Sequence, residues 1–361
     1  MLKKLSLAAL IAMTSMSVAT ATPLTEAIKG VDLSGNIKVK FDNSDNDKDE
    51  SKNKWTVSGD FKFTVPVSEE LKVVYKIGAK QEIETKDDGV EEKKTPELKS
   101  KLVYLNYSAN GLNVVAGKIP VGTSVTDDDA GVGAITTYKV ADQLTLAAGW
   151  VDHLDVDSIK GNDIYTLAAL FNVENMVKGS VWYYHVTNIL DHLYTISLDV
   201  TPVDFVSLHA DYAAGKGEAK GAKTHTYFNV SAGAKFEGAS LKVGYAATND
   251  ENGAVVLNND APISDVLPVK QLKPIANKQD ETAIYAKAGY DVADNTNVYL
   301  AYATIDDDTA NNKDYSEIAL GGSYKYTKKM KLSAYYSIKD GKNGAKDDDN
   351  NKFGFEAKYS F

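Results

Sequence analysis

The chain has 361 residues, of which 43% are apolar and 25% are charged, and its 40 basic residues are all lysines, against 50 acidic residues. This acidic balance argues against a nucleic-acid-binding protein, and the absence of cysteine excludes disulfides, thiolate nucleophiles and zinc–thiolate sites. A mean hydropathy of −0.30 excludes a membrane protein built from many apolar helices. It does not exclude a membrane barrel, whose strands need apolar residues only at alternate positions.

The first segment has the three-part layout of a secretory signal. Two lysines precede an apolar run from Leu5 to Met13, and small residues follow up to Ala21. A membrane anchor is the alternative, because the uncharged stretch extends further, but its second half is rich in Ser, Thr and Ala. We therefore predict a cleaved signal peptide at 1–21 and an exported domain at 22–361.

Beyond residue 30, apolar and polar residues alternate with period two almost throughout. For example, Val57 lies on one face of a segment, and its neighbours Thr56 and Ser58 lie on the other. This alternation predicts strands with one apolar and one polar face. The predicted strands lie at 33–42, 54–65, 71–82, 98–108, 112–119, 133–140, 143–152, 162–172, 178–187, 191–201, 205–214, 223–236, 240–249, 282–291, 296–305, 314–326, 330–339 and 352–361.

The links between these strands alternate between short and long. Tight turns such as 109–111 and 202–204 alternate with longer polar links such as 83–97 and 250–281. All long loops then lie at one end of the sheet, as in a transmembrane barrel whose two rims face different compartments. In hydrocarbon an unpaired strand edge is unfavourable, so the first strand must pair with the last.

The sequence therefore predicts an all-β fold, a transmembrane antiparallel β-barrel of 18 strands. An even count of about 16 is the alternative, because predicted strand boundaries carry an error of a few residues. We expect the third long loop, 120–132, to fold into the lumen, since its glycines and small residues allow a compact path against the wall.

The last predicted strand carries aromatic residues at alternate positions. These residues are Phe353, Phe355, Tyr359 and the terminal Phe361. Such an ending resembles the sorting signal by which the outer-membrane assembly machinery recognises barrels; an ordinary amphipathic edge strand is the alternative. We expect the protein in the outer membrane of a Gram-negative bacterium, in contact with outer-membrane lipid and lipopolysaccharide.

A barrel of this width is too wide for its inward side chains to fill, so we expect them to line a water-filled channel. The predicted basic wall of this lumen comprises Lys38, Lys40, Lys62, Lys72 and Lys76. The third long loop carries Asp127, Asp128 and Asp129, which would narrow the pore opposite these lysines and favour cations. A solvated loop tip is the alternative for the three aspartates.

No catalytic or phosphate-binding motif accompanies this pattern. The five histidines are scattered without metal-binding or catalytic spacing, and no nucleophile elbow or glycine-rich phosphate loop is present. We therefore expect a porin for passive diffusion of ions and small hydrophilic solutes, with no enzymatic activity. The alternatives are a barrel that acts mainly as an adhesin or surface ligand-binding protein, above all through 250–281, and an outer-membrane barrel enzyme.

Four features occur together in the chain: the short signal with two lysines, the segment 111–120 that leads into the aspartate-bearing loop, the arginine-free composition and the terminal Tyr359-Ser360-Phe361. In these features the chain resembles the Campylobacter-type (epsilonproteobacterial) major outer membrane porins. It implies an 18-stranded general porin with cation preference that assembles as a homotrimer.

The same resemblance implies site residues. The constriction role falls on Asp127, Asp128 and Asp129, and the facing wall on Lys38, Lys40 and Lys62. It allows a weakly bound calcium ion at Asp127 and Asp129, and no other cofactor is expected. General porins whose eyelet carries an arginine cluster differ from this arginine-free chain, so the basic half of the transverse field stays open.

Overall fold

A computed structural model describes residues 30–46, 49–86, 91–156, 159, 161–174, 176–309, 313–343 and 346–361. The predicted signal peptide at 1–21 lies outside the described residues. The described part of the chain contains no helix that is long and apolar enough to span a membrane.

Strands make up the described fold. In the first half of the chain they are β1 (Asp32–Asn46), β2 (Asp49–Pro66), β3 (Leu71–Lys86), β4 (Glu91–Lys93), β5 (Glu97–Ala109), β6 (Leu112–Pro120), β7 (Ala130–Ala141), β8 (Leu144–Leu154), β9 (Ile164–Val173) and β10 (Val177–Val186). In the second half they are β11 (Leu190–Val203), β12 (Val206–Gly217), β13 (Thr224–Phe236), β14 (Ala239–Thr248), β15 (Glu281–Ala293), β16 (Thr296–Asp307), β17 (Tyr315–Lys325), β18 (Met330–Asn343), β19 (Lys346–Asp347) and β20 (Asn350–Ser360).

Antiparallel pairing joins these strands into a closed ring. Each long strand pairs with its neighbours in sequence, and β20 pairs with both β18 and β1, where Phe41 lies opposite Phe355. The short β4 and β19 only extend loop ends beside β3 and β18. Within the described residues the ring therefore contains 18 strands, and the predicted barrel and its predicted closure are confirmed.

The chain terminus completes the closure. The Gly35 amide donates to the Phe361 carbonyl at 3.0 Å, and the Phe361 amide donates back to the Gly35 carbonyl at 3.1 Å. The Phe361 ring packs 5.7 Å from that of Phe61 and 6.0 Å from that of Tyr359. Phe353 and Tyr359 face outward with 39% and 42% of their surface exposed, on the face that lipid would cover.

Tight hairpins close one rim of the barrel. The two-residue links Asn110-Gly111 and Glu237-Gly238 have positive φ at both positions, +49° and +80° in the first and +47° and +83° in the second. This geometry matches the twist of the flanking strands, and glycine at the second position adopts it without steric cost. The longer links lie at the opposite rim, as the alternation of link lengths predicts.

The two faces of each strand meet different surroundings. On β11, Tyr194 and Ile196 point outward and are each 47% exposed, whereas Thr195 between them points into the lumen and is fully buried. Outward apolar residues recur in this way around the ring, which is the pattern of a lipid-facing surface.

Part of the lumen is filled rather than open. Two loops fold inward: L3, residues 121–129 between β6 and β7, and L7, residues 249–280 between β14 and β15. They pack against inward side chains of β3, β5, β6 and β8 to β16 in a continuous apolar core. Its fully buried members include Val125, Val255, Val256, Ile263 and Ile275 from the loops, and Leu154, Ile164, Tyr184, Leu193, Tyr227 and Tyr285 from the wall. Each such aliphatic side chain contributes roughly 1.5–3 kcal/mol relative to exposure in water.

The other half of the lumen keeps polar walls. The inward lysines of β1 to β3 are half-buried or exposed rather than part of the core. The expectation that the inward side chains line a water-filled channel was therefore wrong where this core lies, because L3 and L7 occupy that part of the lumen.

Gly117 provides a test of the wall that supports L3. Its φ is +129°, and an added Cβ would lie 2.5 Å from the Val103 carbonyl oxygen. We expect Gly117→Ala to destabilise the barrel by about 1–3 kcal/mol, because both the conformation and the space are unfavourable for a side chain. The measurement is the temperature at which the folded band is lost on semi-native electrophoresis.

Gly122→Ala is the matched control, because an added Cβ there would meet no atom within 4 Å. Equal loss of stability in both variants would contradict this explanation.

Candidate functional site: the lumen narrowed by L3 and L7

L3 is a compact loop held by its own backbone and hydroxyl groups. The Val121 amide donates to the Asp129 carbonyl at 2.8 Å, which closes the loop at its base. The Thr126 hydroxyl donates to the Val121 carbonyl and accepts from the Thr123 amide at 3.0 Å. The loop therefore keeps its shape without any regular element.

A single serine fixes L3 to the far wall of the barrel. The Ser124 hydroxyl lies 2.9 Å from the Tyr184 hydroxyl on β10 and 2.7 Å from the Thr195 hydroxyl on β11. All three groups are buried. Because β10 and β11 lie several strands away from the β6–β7 base of the loop, these contacts place L3 inside the lumen, as the sequence predicts.

L7 lies directly on L3. The amides of Leu257 and Asn258 donate to the Val125 carbonyl at 2.9 and 3.2 Å. The Asn258 side-chain amide donates to Asp129 Oδ2 at 2.7 Å. The two loops therefore form one unit, and a shift of either would move the other.

The base of L7 is braced by two polar side chains. The ring nitrogens of His225, fully buried on β13, lie 2.6 Å from the Glu251 carbonyl oxygen and 2.8 Å from that of Ala276. Asn277 accepts from the amides of Val255 and Val256 at 2.8 and 3.1 Å. The outgoing and returning limbs of the loop are thus held together.

The distal part of L7 is anchored by one carboxylate. Glu317, on the lumen face of β17 and only 1% exposed, accepts three consecutive backbone amides of the loop. The donors are Lys270 at 2.8 Å, Gln271 at 2.8 Å and Leu272 at 2.9 Å. Hydrogen bonds to an ionised group are stronger than neutral ones, so this contact holds the loop across the lumen.

Side chains of the same tripeptide extend the anchor to neighbouring strands. The Gln271 side chain donates to the Ser337 hydroxyl at 2.9 Å and to the Asn350 carbonyl at 3.1 Å. The Lys270 ammonium lies 5.8 Å from the Tyr299 ring centroid and 5.4 Å from that of Tyr335, within the range of cation–π attraction. L7 therefore crosses from β14 and β15 to β16, β17, β18 and β20.

The free edge of the loop unit is acidic. Asp127 and Asp128 are exposed, whereas Asp129 is half-buried and bound by Asn258. Desolvation raises the pKa of Asp129 above its ordinary value, despite that hydrogen bond. Desolvation likewise raises the pKa of Asp265 on L7, and Asp260 and Asp127 nearby raise it further. These carboxylates form one local cluster.

Part of the basic wall is paired with carboxylates of β1, β2 and β3. Lys40 Nζ lies 2.9 Å from Asp42 Oδ2, and Lys76 Nζ lies 3.5 Å from Asp60 Oδ2. Glu82 binds Lys54, Lys80 and Lys94 at 2.8–3.0 Å. Of the predicted wall lysines, Lys38, Lys62 and Lys72 have no carboxylate within 4.0 Å among the described residues.

Sequence reasoning did not identify L7 as part of the lumen or Glu317 as its anchor. A signal was present, since the loop contains the apolar run Val255-Val256-Leu257, in contrast to the Asp-, Asn- and Lys-rich links elsewhere. A loop with such a run needs a surface to cover it. Glu317 left no such signal in the sequence. A carboxylate can accept hydrogen bonds from backbone amides whatever side chains the donor residues carry.

The described residues contain no group of three or more His, Cys, Asp or Glu side chains arranged to hold a metal ion. Asp129 already uses one carboxylate oxygen for Asn258. Calcium at Asp127 and Asp129 stays a prediction.

Comparison with known proteins gives a family and a fold. A family model described as Campylobacter major outer membrane protein matches residues 1–205. No curated protein gives a significant match to the chain.

Several solved structures share the barrel. OccAB4 of Acinetobacter baumannii is 13% identical, with a TM-score of 0.71 over 96% of this chain and 100% of that chain. OccK9 (OpdG) of Pseudomonas aeruginosa is 13% identical, with a TM-score of 0.75 over 93% and 100%. A BenF-like porin of Pseudomonas fluorescens Pf-5 is 11% identical, with a TM-score of 0.72 over 92% and 99%. At these identities the likeness concerns the fold alone.

The Glu317 anchor predicts the local stability of L7. Glu317→Gln keeps the size of the side chain but removes the charge and turns one acceptor into a donor that faces backbone amides. We expect the amides of Lys270, Gln271 and Leu272 to exchange about 10- to 100-fold faster, from the loss of roughly 1.5–3 kcal/mol. Hydrogen–deuterium exchange with peptide-level mass spectrometry measures this.

Glu237→Gln is the control, because Glu237 lies in a tight turn at the opposite rim. Unchanged exchange at 270–272 in the Glu317 variant would show that the side-chain contacts alone hold the loop.

Proposed function

Because the chain belongs to the Campylobacter major outer membrane protein family, we propose that it is an outer-membrane porin for passive diffusion of ions and small hydrophilic solutes. The protein is a channel in this proposal and catalyses no reaction. Its solutes pass through the part of the lumen that L3 and L7 leave open.

One observation carries this proposal: the lumen is filled by an apolar core on one side and lined by charged side chains on the other. A barrel that served only as a scaffold for outer loops would gain nothing from a charged, solvated wall. A fully plugged barrel would not leave lysines of β1 to β3 exposed. A narrowed, charged passage is what a pore with ion preference requires.

We further propose that the channel prefers cations. The wall lysines Lys40 and Lys76 are paired with Asp42 of β1 and Asp60 of β2, respectively. The loop carboxylates Asp127 and Asp128 have no hydrogen-bond or ion-pair partner among the described residues. Asp127 and Asp128 therefore place unpaired negative charge at the edge of the loop unit, which raises the local concentration of cations there, against the positive charge of the unpaired wall lysines Lys38, Lys62 and Lys72.

The assembly of the protein is part of the same proposal. We propose a homotrimer in contact with outer-membrane lipid and lipopolysaccharide, exported by a cleaved signal peptide at 1–21. The assembly machinery would recognise the final strand through Phe353, Phe355, Tyr359 and Phe361, of which Phe353 and Tyr359 are exposed on the outward face.

An adhesin that acts through the loop 250–281 has less support. That alternative needs the loop to be displayed outside the barrel, whereas Ile263 and Ile275 are buried in the lumen core and Gln271 reaches β18. Deletion of this loop should enlarge the conductance rather than leave it unchanged, because the loop occupies the lumen.

The loop aspartates provide a test of ion preference. In Asp127→Asn/Asp128→Asn, two negative charges at the free edge of L3 are lost, so we expect the cation-to-anion permeability ratio to fall at least about twofold. Reversal potentials of the purified protein in planar bilayers under a KCl gradient measure this ratio.

Asp142→Asn is the matched control, because Asp142 lies in a turn at the opposite rim, paired with Lys139. No channel in the wild-type protein would contradict the porin proposal, and an anion preference would contradict the selectivity alone.

The raised pKa values of Asp129 and Asp265 predict a pH dependence. As the pH falls, these carboxylates take up protons before an ordinary aspartate with a pKa of 3.8 does. The cation preference should therefore begin to decrease at a pH above 3.8, because Asp129 of L3 and Asp265 of L7 lose their negative charge before ordinary aspartates do. Reversal potentials recorded over a pH series test this, and Asp265→Asn should reduce the early phase. A preference that stays constant until ordinary aspartates titrate would contradict it.

A further inference from the structure

Four tyrosines on the lumen face lie directly opposite glycines of the adjacent strand. The pairs are Tyr285 with Gly244, Tyr299 with Gly321, Tyr315 with Gly341 and Tyr335 with Gly354. In each pair the ring occupies the space that a side chain on the glycine would need, because an added Cβ would lie closer than 3.0 Å to ring atoms. Each tyrosine therefore lies across its glycine, along the wall, instead of projecting into the lumen.

Three of these tyrosines lie outside the apolar core that L3 and L7 build. Tyr285 is 1% exposed and belongs to the core. Tyr299, Tyr315 and Tyr335 do not belong to it and are partly exposed. The orientation of these three rings therefore affects the space that the two loops leave open.

Two of the pairs form one row across the wall. Tyr299 of β16 lies opposite Gly321 of β17, and Gly321 lies opposite Tyr335 of β18. Tyr335 lies opposite Gly354 of β20, which in turn lies opposite Asp42 of β1. The Tyr335 hydroxyl donates to Asp42 Oδ1 at 3.0 Å. This contact spans two strand spacings, about 10 Å, and it requires the ring to lie along the wall.

Ammonium groups cover the lumen side of the same two rings. Lys287 Nζ lies 4.3 Å from the Tyr299 ring centroid. Lys270 Nζ of L7 lies 5.8 Å from the Tyr299 centroid and 5.4 Å from that of Tyr335. Cation–π attraction acts on the face of a ring, so these lysines stabilise the flat orientation.

We propose that Gly321 and Gly354 determine the width of the passage, because they allow Tyr299 and Tyr335 to lie flat against the wall. A tyrosine ring is thin across its plane and long within it, so a flat ring fills much less of the lumen than a projecting one. The proposal rests on the proposed porin function, and it concerns which solutes are small enough to pass.

The lipid-facing surface contains a matched pair. Gly179 of β10 lies opposite Phe171 of β9, and an added Cβ there would overlap the Phe171 ring. Both residues lie on the outward face of the barrel, as does Val181. A side chain at Gly179 would therefore disturb the same kind of contact without placing a ring in the lumen.

Solute uptake by proteoliposomes and single-channel conductance test the proposal with full-length protein. The variants are Gly354→Ala and Gly321→Ala, which act on different strand pairs, and the probes are arabinose and the larger sucrose. We expect each variant to lower the conductance by about a third and the sucrose-to-arabinose uptake ratio about twofold, because a narrower passage slows the larger solute more. Gly354→Ala/Tyr335→Ala should recover at least the wild-type values, because no ring remains to be displaced.

Gly179→Ala is the control and should keep the wild-type conductance and ratio. Semi-native electrophoresis verifies that each variant is folded. An unchanged ratio in folded Gly354→Ala and Gly321→Ala, an equal fall in the uptake of both sugars, or a low ratio that persists in the double variant would overturn the proposal. Absence of arabinose uptake by the wild-type protein would instead overturn the porin function itself.

Discussion

The unpaired edge of a β-sheet is the constraint on which this fold depends. In hydrocarbon, backbone N–H and C=O groups find no water, so every strand must have two neighbours. The pairing of β20 with β1 meets this requirement, with the Phe361 backbone bonded to Gly35. The alternation of apolar and polar residues follows from the same closure, because it gives each strand one face toward lipid and one toward the lumen.

Closure of 18 strands creates a second problem, since the enclosed space is too wide for wall side chains to fill. This space is filled on one side only. L3 and L7 bring aliphatic side chains into one half and build an interior like that of a soluble protein, fixed by Ser124 at one point and Glu317 at another. The half-buried or exposed lysines of β1 to β3 line the part of the lumen that the core does not fill. A rigid core is thereby placed beside the passage, and it holds Asp127 and Asp265 at the edge of that passage.

The barrel was predictable from sequence because the alternation of apolar and polar residues that produces it is visible in neighbouring residues. Outward Val57 and inward Thr56 carry the two-residue period in their identities, and the strand positions and the strand count followed from it. The inward fold of L3 was predicted instead from its glycines and small residues. The inward fold of L7 was missed, since its charged and asparagine-rich ends resemble an exposed loop. Its docking on Glu317 joins residues far apart in sequence through backbone amides, and such a contact leaves no pattern of side chains to read.

Because Glu317 binds backbone amides, its contact with L7 does not depend on which side chains the bound residues carry. Glu317 binds the peptide backbone of Lys270 and Leu272, so their side chains are free to differ without loss of the carboxylate contact. Exchange of either residue would keep the carboxylate contact, whereas a change at Lys270 would remove its cation–π contacts and a change at Leu272 would alter its packing against the apolar core. Because the Glu317 contact does not depend on these side chains, substitutions in this segment can change the charge or width of the lumen without a change of fold.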